Sequence, residues 1–422
     1  MMSLTFLQQT YSKNFSKLLE IIFLTLMLLS LPSLEAPKNI FLILFLTTAL
    51  YREWSQTKTK PWGFWDWIFL SYISSSFLSA IFAGISPGEE WGGFRGMLIW
   101  TGFAWLLSRT KYSPQEISWL FWITILGTIP PLLWGFIEYL VIHKKNTLQL
   151  HSVGHVNHSA IYLGIILGAT LSASLSIWKN AKIFKKLFLV SLPILFFVSV
   201  IIGQSRGVFG VSLIRLSLLI LLIPNSNQIK ILAFGILGVI LSLMPIMDAA
   251  IIKKQILNQN SNNSYSSIDT LSPRERVWNA SIDAAYFYPI FGIGNRNWKL
   301  ITLDDLKNSR IKRGLAFNEK NYALEFRHSH SLFLTALVER GVIGFLTLML
   351  LMSSWFILLI KTYTKLKKMT PGAYLWGASL SAWIVTCGVG VVNSTFHHEH
   401  AILAFLFLGL HLSFTRLTNT KK

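Results

Sequence analysis

Cysteine is nearly missing from this chain: Cys387 is the single one in 422 residues. An intrachain disulfide framework and a cysteine-built metal site are therefore both excluded. Charge is scarce too, at 13% of residues against 52% hydrophobic, a balance that excludes a soluble globular domain and points to repeated membrane spans. Acidic residues are the scarcer sign, 18 against 38 Lys and Arg, which leaves a formal net charge of +20. In a soluble chain that surplus suggests nucleic acid, but in a membrane protein Lys and Arg first sort by side. Long polar runs are also rare, and residues 251–329 are the one soluble-looking stretch.

Crossing a hydrocarbon core of about 30 Å takes about 20 apolar residues. The sequence reads as twelve spans: Leu18 to Leu34, Ile40 to Trp54, Trp62 to Ile85, Gly93 to Leu107, Ile117 to Ile142, His158 to Trp178, Leu187 to Gly203, Gly207 to Ile223, Ile229 to Ala249, Val342 to Ile360, Ala373 to Val392 and Ala401 to Phe414. The first follows Lys13 and Lys17 and also fits a secretory signal; the many later spans favour a retained helix. Lys17, Arg52, Lys58, Lys60, Arg109, Lys111, Lys179 to Lys186, Lys230, Lys361 to Lys368 and Arg416 all fall on one side of an alternating count, the expected cytoplasmic side. Both termini belong there. The acidic "SPGEEWGG" falls outside, and Lys38, Arg95, Lys144 and Lys145 are the exceptions to the rule. The expectation is an all-α polytopic membrane protein divided into residues 1–250 (helices 1–9), an outer loop 251–341 containing short helices, and residues 342–422 (helices 10–12).

The loop opens on a low-complexity linker, "NQNSNNSYSS", expected to be mobile. In "SPRERVWNASIDAAYFYPIFGIGNRNW", Ser272 and Pro273 look like a helix start, and Pro289 with Gly292 and Gly294 like a stop. The loop is basic although it lies outside, so an anion site is a fair expectation. Arg274 and Arg276 bracket the helix start, whose N-terminus also attracts anions, and make either a phosphate clamp or a solvated basic face. Arg296 follows two glycines, where backbone can approach a ligand closely; the pattern alone is weak. Arg206, in the tight turn "GQSRG" between two spans, offers a planar fork of donors suited to phosphate, or snorkels to lipid headgroups. Arg215 lies deep in the same span and reads as structural, with no evident partner.

"RHSHSLFLTALVERGVIGFL" (Arg327 to Leu346) sets two histidines before an apolar run. A single helix from His330 to Ile360 would be about 46 Å long, too long for the core. Gly341 divides it into an interfacial helix up to Arg340 and a span from Val342. Ser331, Thr335 and Glu339 recur at i, i+4 and i+8 as a polar stripe. At this N-terminus the helix dipole and neighbouring arginines would keep His330 neutral near pH 7, fit to accept a proton from a sugar hydroxyl. The plainer reading is a hydrogen-bonded surface histidine. His151, His155 and His158 in one outer loop and His397, His398 and His400 in another lack a standard ligand spacing, and three or four ligands would have to come from separate loops. No metal site and no cofactor are expected.

His330-Ser331, nine residues, Gly341, two residues, Gly344 resembles, without gaps, the H-[N/S/Q]-x9-G-x-x-[G/T/Y] signature of bacterial O-antigen ligases, in the wider O-antigen ligase and polymerase superfamily. The "SRG" turn with Arg206, "SPRERVW", and "FYPIFGIGNRNW" against a P-x-x-G-x-G-x-x-[F/W] pattern look like the same superfamily. "GHVNHSAIYLG", with Asn157, is similar to its N-x-x-A motif. The resemblance implies a GT-C-type inner-membrane glycosyltransferase, independent of metal, that moves polysaccharide from undecaprenyl pyrophosphate to the lipid A-core. It carries His330 over as the base and Arg206 and Arg274 as pyrophosphate contacts, with a looser match for Arg276 and Arg296. His328 and Arg327 stand beside the signature as neighbours of the base. Asp283, Glu325 and Glu339 are available carboxylates but form no evident hydrolase-type pair. An O-antigen polymerase, a protein O-oligosaccharyltransferase and a transporter of lipid-linked glycan are the alternatives.

Overall fold

The computed structural model describes residues 15–55, 61–145, 147–150, 156–223, 235, 238, 273–325, 328–367 and 371–419, with the backbone alone for Val156, Asn180, Arg206, Pro273 and Asn419. Thirteen α-helices and no strand occur among them. They are α1 (Phe15–Ser30), α2 (Glu35–Ser55), α3 (Phe64–Ile81), α4 (Glu90–Arg109), α5 (Pro114–Leu140), α6 (Val156–Ile177), α7 (Ile183–Ile202), α8 (Arg206–Leu222), α9 (Pro273–Ala285), α10 (Leu303–Lys312), α11 (Leu332–Leu366), α12 (Gly372–Ile384) and α13 (His398–Asn419). Each expected span among the described residues coincides with a helix; the ninth, Ile229 to Ala249, and the "NQNSNNSYSS" linker lie outside them. Among the described residues, six helices are long and apolar enough to cross a membrane: α5, α6, α7, α11, α12 continued by its π turn to Val389, and α13. Local chemistry starts them where the sequence allows. At α5, Ser113 Oγ accepts from the Glu116 backbone N–H (3.2 Å) while Glu116 accepts from Ser113 N (2.6 Å), and Pro114 fills the first helical position, where its missing N–H costs nothing.

Ion pairs sort the helix ends onto two faces. On one, Lys17 pairs with Glu116 (2.9 Å), Arg52 with Glu20 (2.5 Å), and Arg109 with Glu53 (2.6 Å) and Asp66 (3.1 Å), tying together ends of α1 to α5. On the other, Lys38 meets Glu399 at 2.5 Å, and Lys145 meets Glu138 at 2.9 Å. The cations that broke the side rule are thus explained in part: Lys38 and Lys145 each neutralise a buried carboxylate. Between the faces α6, α12 and α13 form the most enclosed layer, including Tyr162, Leu375, Phe405 and Phe407.

Residues 273–325 have a small core of their own, built from Val277, Ala280 and Ala284 of α9, Ile293, Trp298, Leu306 and Tyr322, and closed by Val338 of α11. Asp283 pins it. Its carboxylate accepts from Arg313 (2.6 Å), Arg310 (3.0 Å) and Tyr322 Oη (2.6 Å). Burial by itself raises the Asp283 pKa, but the hydrogen bonds from Tyr322, Arg313 and Arg310 outweigh it and hold the group below the usual value. Burial and Asp283 together push the Tyr322 phenol up to about 12. Asp283 is therefore no spare carboxylate.

Gly341 interrupts α11 at φ 65°, ψ −167°. The division expected from length is present, and the second half runs on to Leu366 rather than Ile360. The polar stripe differs from its expected interfacial role. Ser331 is buried, and Thr335 Oγ1 reaches Ser329 (2.5 Å) and Ser394 (3.4 Å), so the stripe packs on the loop before α13.

Candidate active site

His330 precedes α11 in the left-handed region, φ 49°, which costs a side chain other than glycine about 1–2 kcal/mol. Its surroundings impose that geometry. Ser331 caps the helix by accepting from Leu334 N (3.4 Å) and donates to the Gly390 carbonyl (3.4 Å); Leu332 N donates to the Asn393 carbonyl (3.2 Å). Ser329 Oγ closes the turn on the Ser331 carbonyl (3.0 Å). Among the described residues, four of the five non-glycine residues with positive φ are Gln204, Arg296, His330 and His398. The first precedes the "SRG" turn and the other three are themselves candidate residues, so strain concentrates where the sequence placed the chemistry.

The glycine motif has a structural reason. Residues 289–294 run against 338–343 backbone to backbone: Ile293 N donates to Val338 O (3.0 Å), Gly294 N to Glu339 O (3.0 Å) and Val342 N to Pro289 O (2.7 Å). A Cβ on Gly341 would stand 2.2 Å from the Ile290 carbonyl, and one on Gly292 2.4 Å from the Glu339 carbonyl. A Cβ on Gly344 would meet Arg340 Cβ at 2.1 Å. Signature and loop motif are two halves of one joint. The ninth position of the loop motif is Asn297, not an aromatic. Its amide accepts from Glu89 N (2.8 Å) and donates to the Ile85 carbonyl (2.7 Å), and Trp298 next to it fills the loop core. This joins the loop to α3 and α4, a connection that no motif signalled.

The structure brings Asn157 to the "SRG" turn, with Ser205 Oγ donating to Asn157 Oδ1 at 3.1 Å, and Arg206 begins α8. Arg274 is exposed and Arg276 half-buried on the first turn of α9, which packs on α11. Arg296 is exposed and its charge reaches both His398 and Glu339. Arg327 lies outside the described residues. Arg215 is wholly buried and finds the partner that the sequence did not reveal: its guanidinium donates to the Gly164 carbonyl and to Ser212 Oγ (3.1 Å), linking α8 to α6.

The histidines behave unlike their sequence reading. His328 lies 4.2 Å from His330 between ring centroids and 6.3 Å from His397. His158, His397, His398 and His400 gather around one point, and His158, His397 and His398 could hold a metal ion. The separate loops that counted against a metal do converge. His151 and His155 lie outside the described residues. Burial, then the neighbouring His400, His398, His158 and His328, keep the His397 pKa well below its usual value.

With six helices among the described residues long and apolar enough to cross a membrane, the chain is a polytopic α-helical membrane protein. Residues 191–349 match the O-antigen ligase family model (Wzy_C), and the chain carries that family's domain. The match bears out the resemblance read from the motifs and supports ligase- or polymerase-type activity in general. It covers Arg206, Arg274, Arg276, Arg296, His328 and His330. No curated protein matches the chain.

Proposed function

We propose that this chain is an O-antigen ligase: it transfers polysaccharide from undecaprenyl pyrophosphate to the lipid A-core oligosaccharide at the periplasmic face of a Gram-negative inner membrane. In this reading it has twelve spans in a GT-C-type arrangement, with both termini cytoplasmic. The observation that carries it is His330, held in a strained left-handed turn at the head of the Gly341–Gly344 joint, within the matched family region.

The acceptor hydroxyl oxygen attacks the anomeric carbon and its proton passes to the His330 imidazole. The bond from that carbon to the pyrophosphate oxygen breaks, and the electron pair leaves with the pyrophosphate. Arg206 and Arg274 stabilise the departing charge, assisted by Arg276, Arg296 and Arg327. Base and leaving group stand on opposite sides of the carbon, so the configuration inverts. Cationic arginines take the part that a divalent ion plays elsewhere, so the transfer step needs none. Asn157 positions the "SRG" turn through Ser205, and His328 flanks the base.

In cells, His330→Ala should leave lipid-linked donor accumulating on the outer leaflet and lipid A-core without polymer. Polymer attached at the normal level in that variant would refute the role of His330. A polymerase uses the same donor with a second lipid-linked glycan as acceptor, and a protein O-oligosaccharyltransferase uses a polypeptide. Offering the three acceptors separately distinguishes them.

A further inference from the structure

A second group of imidazoles stands beside the candidate base. His158 comes from the first turn of α6, His397 from the loop after α12, and His398 from the start of α13. Their ring centroids are 4.5 to 5.1 Å apart, and one ligand nitrogen from each lies within 4.8 Å of the others. Imidazole nitrogens bound to one tetrahedral Zn²⁺ at about 2.0–2.1 Å stand about 3.4 Å apart. Side-chain rotation of roughly 1–1.5 Å closes that gap, within reach of the half-buried His158 and the exposed His398.

A separate observation points the same way. His400 is fully buried, with ring centroids 5.3 Å from His158 and 5.1 Å from His397. The Ser394 carbonyl is near it, yet neither ring nitrogen makes a hydrogen bond of good geometry with a described residue. Buried polar atoms are normally paired. A wholly enclosed imidazole without such a bond, packed beside His158 and His397, is explained by a ligand that takes its lone pair.

The donor set decides the kind of ion. Nitrogen alone is offered. Glu399, between two of the histidines, is occupied by Lys38. Imidazole sets favour borderline d-block divalent cations over Mg²⁺ or Ca²⁺, which need oxygen. Of the surrounding charges, Arg296 and Lys38 oppose a cation, whereas Glu35 and Glu399 favour it.

We propose that His158, His397 and His398, with His400 as the buried fourth ligand, form a binding site for a Zn²⁺-class ion that staples the N-terminus of α6 to the N-terminus of α13. The ion is structural, and the proposal stands apart from glycosyl transfer: it would hold if His330 proved idle, and would fail without touching that role.

The test uses full-length protein in detergent, purified through a tag without histidine and stripped with a chelator. Titrated Co²⁺ should give the intense visible bands of a tetrahedral site at one equivalent per chain. Zn²⁺ should bleach them and raise the thermal unfolding midpoint, while Mg²⁺ does neither. His158→Gln and His397→Gln should each weaken Co²⁺ binding about ten-fold or more, and His330→Ala should leave it unchanged. Circular dichroism and size exclusion on each variant show whether it is folded. If either Gln variant fails to fold, diethylpyrocarbonate labelling replaces it, and Zn²⁺ should protect His158, His397 and His398. No visible bands in the wild type, unweakened binding in folded Gln variants, or unprotected histidines would overturn the site.

Discussion

At the scale of single residues, the site depends on backbone conformations that most side chains avoid. Gly341 combines φ 65° with a neighbouring carbonyl where its Cβ would be. Gly341→Ala must both strain the turn and separate the 289–294 segment from α11. It should lower stability by about 2–4 kcal/mol, read as a fall in the unfolding midpoint in detergent. Gly344→Ala would set its Cβ 2.1 Å from Arg340 Cβ, an atom that no rotamer moves, so the helix itself must shift, and about 1–3 kcal/mol is expected. A midpoint unchanged in both would show that the joint is softer than its contacts imply. His330 was legible from spacing, because a signature fixes a residue by its neighbours in sequence. Its ring partner His328 lies outside the signature and was legible only as its neighbour two residues earlier. His158, His397 and His400 were visible only as scattered histidines, since their grouping depends on three chain segments meeting in space. Asn297 gave no signal, because an amide that ties a loop to α3 and α4 looks like any polar loop residue.

At the scale of elements, the loop unit of residues 273–325 hangs on one carboxylate. Asp283 has a folded pKa below its ordinary 3.8, so its stabilisation is fully present above that value and is lost as pH falls through the folded pKa. The Tyr322 phenol, raised to about 12, favours the folded unit below its ordinary value near 10 and loses that contribution as pH rises through about 12. Hydrogen exchange of α9 and α10 amides should therefore stay slow from about pH 5 to pH 9, once corrected for intrinsic rates. It should accelerate as pH falls below 3.8, through the lowered Asp283 pKa. Asp283→Asn should cost about 2 kcal/mol at neutral pH and remove the acid transition; a transition that persists would assign it to other carboxylates. The break in α11 was legible because one length, that of a bilayer, forbids a single helix there. The direction of its polar stripe was not. A stripe states that one face is polar, and only the packed loop 390–395 shows that the face meets protein rather than water.

At the scale of the whole molecule, hydropathy conveyed the helices, and the sorting of Lys and Arg set the expected alternation. These signals are local and repeat along the chain. What sequence could not convey is which ends pair. Lys38 and Glu399 lie 361 positions apart and are both buried. Lys38→Met leaves Glu399 as an uncompensated buried charge, at a cost of about 3–5 kcal/mol. The double change Lys38→Met with Glu399→Leu should recover most of it, measured by thermal unfolding of the single and double variants. Equal destabilisation in both would mean that packing, not the ion pair, holds that corner. The same corner carries His398 and lies within reach of the Arg296 charge, so the helix ends that position the site also hold the bundle together.

The central claim is that His330 takes the acceptor's proton during glycosyl transfer from a lipid pyrophosphate. The direct measurement is single-turnover transfer by purified protein, with undecaprenyl-pyrophosphate glycan and lipid A-core, comparing wild type with His330→Ala and determining the configuration of the new linkage. The account predicts an inverted linkage and a rate about 10²–10⁴-fold lower in the variant, with donor binding retained. Wild-type rate in His330→Ala, or a retained configuration, would contradict it.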